Sequence, residues 1–221
     1  MRKHNLDFSL VPDLSRSAVF YTMSDGLAAR LRAFPEAYDR AWGTLHLGYN
    51  ISGDETTLRT HAENLMRARE AHLRAALSEF VGMEAALTRD LVRRHDGRTA
   101  IKSSDTANPL PHIIRELRNL ELHLHSSTMS VLEGTASWQP PDTPDREEFP
   151  HHSWYIDNVG REALASLRNA SLYHPAELRQ LVDWFNEAQS VWGVAELIRL
   201  AVEDYGGRIV QTYAAQEEQA P

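Results

Sequence analysis

The stretch that most limits the fold is Pro109-Leu110-Pro111-His112-Ile113-Ile114-Arg115-Glu116-Leu117-Arg118-Asn119-Leu120-Glu121-Leu122-His123-Leu124-His125. Proline holds φ near its helical value and lacks an N–H for which the first turn has no acceptor, so the stretch opens as a helix. At about 100° per residue, Ile113, Leu117, Leu120 and Leu124 share one arc with Ile114 at its margin, and that arc reads as a buried face. The opposite arc carries His112, Arg115, Arg118, Asn119, His123 and His125, interrupted by Leu122 and flanked by Glu116. Guanidinium, carboxamide and imidazole groups gathered on one side of one helix form a surface suited to anion binding and proton transfer. The competing reading is ordinary solvated helix surface in a chain rich in arginine and histidine.

Elsewhere the apolar spacing is also helical, and the expected fold class is all-α, a bundle of about six or more helices in one domain. Residues 1–24 show no clean period. Ser24 or Asp25 caps a helix through Leu27, Leu31 and Phe34, and a second helix runs from Glu36 through Ala41, Trp42 and Leu47. From Asp54 to about Arg94 no proline intervenes, and Leu58, Leu65, Leu73, Leu77, Phe80, Leu87 and Leu91 keep helical spacing, making this the longest element. Glu63, Arg67, Arg69, Glu70 and Arg74 lie largely off that stripe and read as solvated helix pairs. After Ser126 a short strand or extended piece is expected around Gly134. Residues 139–153, with Pro140, Pro141, Pro144 and Pro150 among acidic residues, are expected to form an irregular surface loop. Helical spacing returns from Val159, with Pro175 opening one helix and Gly206-Gly207 breaking or ending the last.

No apolar run approaches membrane-spanning length, and the basic N-terminus is not followed by a cleavable apolar segment, so a soluble cytoplasmic protein is expected. The chain has no cysteine, which excludes disulfides, thiol nucleophiles and thiolate metal sites. A formal charge of −8 argues against broad coating of nucleic acid, which depends on neutralising many phosphates, so any RNA contact must be local. Lys3 and Lys102 are the only lysines among 23 basic residues, a bias typical of GC-rich bacterial codon usage.

No glycine-rich phosphate loop, dinucleotide fingerprint or nucleophile elbow occurs. His123 and His125 lie two residues apart and point about 160° away from each other on a helix, so they would not chelate one ion together. Neither a metal nor any other cofactor is expected.

Arg118-Asn119-Leu120-Glu121-Leu122-His123 resembles the signature of the HEPN superfamily, all-helical proteins in which an arginine and a polar residue precede a histidine by a few positions. Arg67 with His72 and Arg146 with His151 share the bare spacing, but Ala68 follows Arg67 and Arg146 lies in the proline-rich segment. The resemblance covers this helix and implies a HEPN-like core over about 25–136, followed by the loop and C-terminal helices over about 158–213. It implies metal-independent RNA cleavage at a site made by two facing copies, in a toxin or an antiviral defence system. His123 would be the catalytic histidine, with His125 satisfying the longer spacing; Arg118 and Asn119 complete the motif, and Arg115 and His112 stand as auxiliaries.

The chemistry is consistent with these residue types. RNA cleavage without metal requires proton removal from a 2′-hydroxyl and stabilisation of a crowded phosphate, tasks for imidazole and guanidinium respectively. Asn119 and His123 are one turn apart, whereas Arg118 stands about 140° round from His123, too far to share one phosphate within one helix. A two-fold dimer would bring Arg118 of one copy to His123 of the other, so a homodimer is expected. The rival expectations are a catalytically silent helical module that binds a protein partner, such as an antitoxin, and a sensor of a nucleotide or other phosphate ligand.

Overall fold

The computed structural model describes residues 3–9, 36–37, 40–41, 55–95, 97–123, 129–138, 146–157 and 159–214. These residues are mostly helical. Helix α1 spans Glu55–Arg93 and α2 spans Pro109–His123; an antiparallel ribbon of β1 (Met129–Trp138) and β2 (Glu147–Ile156) follows. A short α3 (Arg161–Ala165) and a 3-10 turn (Arg168–Leu172) then lead to α4 (Pro175–Trp192) and α5 (Val194–Ala214). The expected helix over 25–34, Leu124, and the polar tail lie outside the described residues, whereas Glu36, Ala37, Arg40 and Ala41 are helical as expected.

Helix α2 starts as its sequence requires. The Asn108 side-chain Oδ1 accepts the Leu110 N–H at 3.0 Å, and Pro109 occupies the position where no N–H is needed. The expected apolar arc is in the core: Ile113, Leu117 and Leu120 are buried, together with Leu110 and Ile114. The division into a buried and a polar face nevertheless fails, because His112 and Glu116 are buried as completely as the leucines. The reason is placement: α1, α3, α4 and α5 all pack on α2, so side chains on several of its sides are enclosed. A polar group in that position is tolerated only when hydrogen-bonded.

Helix α5 is the second central element. Leu197, Ile198, Ala201, Val202, Tyr205, Ile209 and Tyr213 are buried along it, and it contacts α1, α2, α4 and β2. Contrary to expectation the helix runs through Gly206-Gly207 to Ala214. Each interior glycine costs about 1 kcal/mol relative to alanine, and burial of the surrounding apolar side chains outweighs it. The break falls instead at Gly193, whose φ of 74° and ψ of 151° separate α4 from α5 in a conformation that side chains disfavour.

The connection between α1 and α2 is tied down from both sides. Tyr205 donates to the Ile101 carbonyl at 2.8 Å, and Tyr213 donates to the Thr99 carbonyl at 3.1 Å while accepting the Ile101 N–H at 3.2 Å. Arg208 donates to the Ser103 carbonyl at 2.7 Å and pairs with Asp204 at 2.9 Å. On the other side Glu84 accepts the Ser103 N–H at 2.9 Å and the Ser103 hydroxyl.

The ribbon corrects two expectations. The short piece after Ser126 is a ten-residue strand, and β2 occupies 147–156, a range read largely as irregular loop. Three of the four prolines precede β2, and only Pro150 lies within it, paired opposite Thr135. Each strand of a two-stranded ribbon keeps an open edge, where a proline removes no required hydrogen bond. The buried Gln189 amide anchors its end by accepting the Ile156 N–H at 3.0 Å and donating to the Ile156 carbonyl at 3.2 Å.

Candidate functional site

The polar residues of α2 divide into two groups. At its start, Arg115 pairs with Glu84 at 2.8 Å and donates to Ser104 at 3.3 Å, so it fastens α2 to α1 and to the preceding loop. His112 is closed to solvent. Its Nε2 lies 3.0 Å from the Thr106 carbonyl, which can only accept, so that nitrogen carries the hydrogen and Nδ1 accepts the Tyr173 hydroxyl at 3.1 Å. The His4 ring meets the His112 ring edge-on, with centroids 4.5 Å apart. Both sequence-identified auxiliaries therefore hold the interior together, and His112 does not lie on an open polar arc.

Burial sets the titration of this cluster. It lowers His112 to about 4, helped by the positive field of His4, Arg208 and Arg115 and opposed by the Thr106 hydrogen bond. It lowers His4 in the same way, and it raises the Tyr173 phenol, with the Glu116 carboxylate adding to the rise. His112 thus folds neutral but ionises near 6.5 when unfolded, so its contribution to stability is complete above that pH and declines as pH falls from about 6.5 towards 4. Urea unfolding at pH 7.5, 6 and 5 should show a loss of up to about 1.4 kcal/mol per pH unit within this window. His112→Gln should flatten the slope; an equal slope in both proteins would mean that His112 is accessible to protons in the folded chain.

Further along α2 a second group forms around Glu116. Its carboxylate accepts from Asn119 Nδ2 at 3.1 Å and from Asn169 Nδ2 at 3.2 Å, and the Tyr173 hydroxyl stands 3.4 Å away. With its Nδ2 on Glu116, Asn119 turns Oδ1 towards Arg118, whose terminal nitrogen reaches it at 3.5 Å. Arg118 is half-buried, and its Nε is sheltered from solvent with no hydrogen-bond partner among the described residues. Asn119, Leu167, Arg168 and Asn169 line a cleft of about 160 Å3. His123 ends α2 one turn beyond Asn119, described in its backbone only, and His125 lies outside the described residues. A larger groove of about 460 Å3, between α1 and residues 98–102, contains none of the candidate site residues.

The local arrangement therefore keeps Arg118 with Asn119 and adds three residues that the sequence reading missed as partners: Glu116, Arg168 and Asn169. One signal was available in the chain, since the dipeptide Arg-Asn occurs twice, as Arg118-Asn119 and Arg168-Asn169. Carboxamides fixed by a shared carboxylate, with guanidinium groups beside them, can bind and orient an anion. The chain matches no known protein family, no curated protein and no solved structure. Among the described residues, no helix is long and apolar enough to cross a membrane.

Proposed function

We propose that this chain is a metal-independent endoribonuclease of the HEPN type, cutting RNA at a site composed by two copies and acting as a toxin or an antiviral effector. The observation that carries this reading is Arg118. Arg93, Arg115, Arg161, Arg199 and Arg208 each meet a carboxylate. Among the described residues Arg118, like Arg94, meets none and keeps a sheltered nitrogen unpaired; what sets Arg118 apart is that Asn119 steadies its guanidinium on the helix that ends at His123. In this reading Arg118 neutralises the phosphate, His123 takes the 2′-hydroxyl proton and Asn119 orients the guanidinium. The 140° separation of Arg118 from His123 on one helix favours a site shared across a two-fold axis.

The test uses purified chain, single-stranded RNA and transfer RNA in EDTA, with sedimentation at micromolar concentration. Cleavage by a dimer is the expected result, together with growth inhibition on induced expression. A monomer that cuts neither RNA and is harmless when expressed would overturn the reading. A second reading, a sensor for a nucleotide or another phosphate ligand, is favoured by the cleft at Asn119, Arg168 and Asn169 and would then take its place.

A further inference from the structure

We infer that the extended strap of residues 3–9 is a proton-sensitive clasp: it stays closed over His112, Tyr173 and the 3-10 turn while His4 is neutral, and it opens when His4 takes up a proton. The strap contains none of the candidate site residues, so its behaviour is independent of the ribonuclease reading.

The strap alternates as an extended segment does. His4, Leu6 and Phe8 are half-buried while Lys3, Asn5, Asp7 and Ser9 are exposed, and Leu6 and Phe8 pack against the core. Its backbone donates three hydrogen bonds to three different elements. The His4 N–H reaches the Leu172 carbonyl at the end of the 3-10 turn at 2.8 Å, and the Asp7 N–H reaches the Ala107 carbonyl ahead of α2 at 2.8 Å. Between them the Leu6 N–H meets the Glu177 carboxylate of α4 at 3.1 Å. A segment held by so few bonds can open while the core stays folded.

His4 sits where a proton is costly. Its ring meets His112 edge-on with centroids 4.5 Å apart and lies 5.0 Å from the Tyr173 ring, and neither of its nitrogens has a hydrogen-bond or acidic partner among the described residues. An imidazolium there would press a charge against a buried neutral imidazole and find no protein acceptor for either N–H. Burial is the main influence that holds His4 neutral; the Asp105 carboxylate opposes it, Arg115 reinforces it, and Glu116 and Glu177 oppose it. The three carboxylates are committed elsewhere: Asp105 accepts the Lys102 N–H, Glu116 holds Asn119 and Asn169, and the two oxygens of Glu177 accept the N–H groups of Leu6 and His174. Arg115 and Arg208 add positive field at His112, and they pair with Glu84 of α1 and Asp204 of α5.

Falling pH therefore favours release. A freed His4 regains the ordinary imidazole value of 6.5, so the open form binds the proton more tightly than the closed form. Opening gives up the anchors on Leu172 and Glu177 and lets water reach Tyr173, whose hydroxyl is bonded to His112 Nδ1 and stands 3.4 Å from Glu116. The 3-10 turn, whose Asn169 holds Glu116, loses one of its tethers. Proton uptake is thus coupled to exposure of a buried polar network.

The deciding experiment follows amide hydrogen exchange of the full chain by NMR at pH 7.5 and 5.5, with each rate compared to the intrinsic rate at its own pH. The Leu6 and Asp7 amides are expected to be less protected than Leu117 and Leu120 of α2 at both pH values, and to lose up to about tenfold more protection at pH 5.5, the factor that one pH unit below the ordinary imidazole value allows. His4→Phe keeps an aromatic ring against His112 but carries no titrating proton, and its strap amides should be equally protected at both pH values. Strap protection that does not change with pH in the wild type would overturn the proposal, as would an equal loss in His4→Phe, which would move the trigger to another group. Strap amides as protected as those of α2 would overturn it too, because the strap would then open only with the whole fold. The His4 ring, titrated by NMR in the same samples, should fall below 6.5; an ordinary value would mean that closure does not disfavour its proton.

Discussion

Arg118→Ala and His123→Ala are each expected to slow RNA cleavage in EDTA by about 10²–10⁴-fold, the range associated with losing a positioned proton-transfer group or a preorganised charge on the transition state. Arg118 is half-buried beside Asn119 and lies off the apolar core of α2, so its truncation should leave the circular dichroism of the chain unchanged. Arg67→Ala and His72→Ala provide the control, since they share the spacing on α1 but lack the polar residue after the arginine, and they should cut like the wild type. The shared site makes a sharper claim. Mixing the two inactive variants forms hybrid dimers in which one site draws Arg118 and His123 from the two unaltered positions, and about a quarter of wild-type activity should return. No recovery on mixing would argue for a site within one chain. Indistinguishable behaviour of all four single variants would point to a silent interaction module instead.

Leu117→Ala is expected to cost about 2–5 kcal/mol of stability, measured by urea unfolding, because the side chain is only 2% exposed and its removal leaves a cavity in the centre of the helical packing. The effect should be on folding alone, with the surviving folded fraction still competent in the assays above. Leu117 directly precedes Arg118, so the contrast between the two substitutions separates core from site within a single peptide step. A Leu117→Ala protein as stable as the wild type would mean that α2 packs by another face.

Elements whose cause is local were legible in the chain. The span of α1 follows from an unbroken apolar period without proline, the start of α2 from its entrance prolines, and the burial of Ile113, Leu117 and Leu120 from their shared arc. The motif Arg118-Asn119 with His123 on one helix was equally legible, since spacing and helix geometry define it. Strand β2 and the break at Gly193 were not, because residue type alone did not show that a lone proline has an open ribbon edge or that Gly193, rather than Gly206-Gly207, carries the turn.

The composition of the candidate site is the clearest case of this division. By itself the sequence determined a mostly helical chain with a helix that buries leucines and carries Arg118 and Asn119, because a helix repeats every few residues and its periodicity is written locally. Only the tertiary structure decided that His112 and Arg115 serve packing, that Glu116 lies beneath two asparagines, and that Arg168-Asn169 meets Asn119 across 50 residues of chain. The physical reason is that a buried carboxylate or imidazole must find its partners wherever the packing of other helices brings them, and the period of its own helix holds no record of what lies opposite.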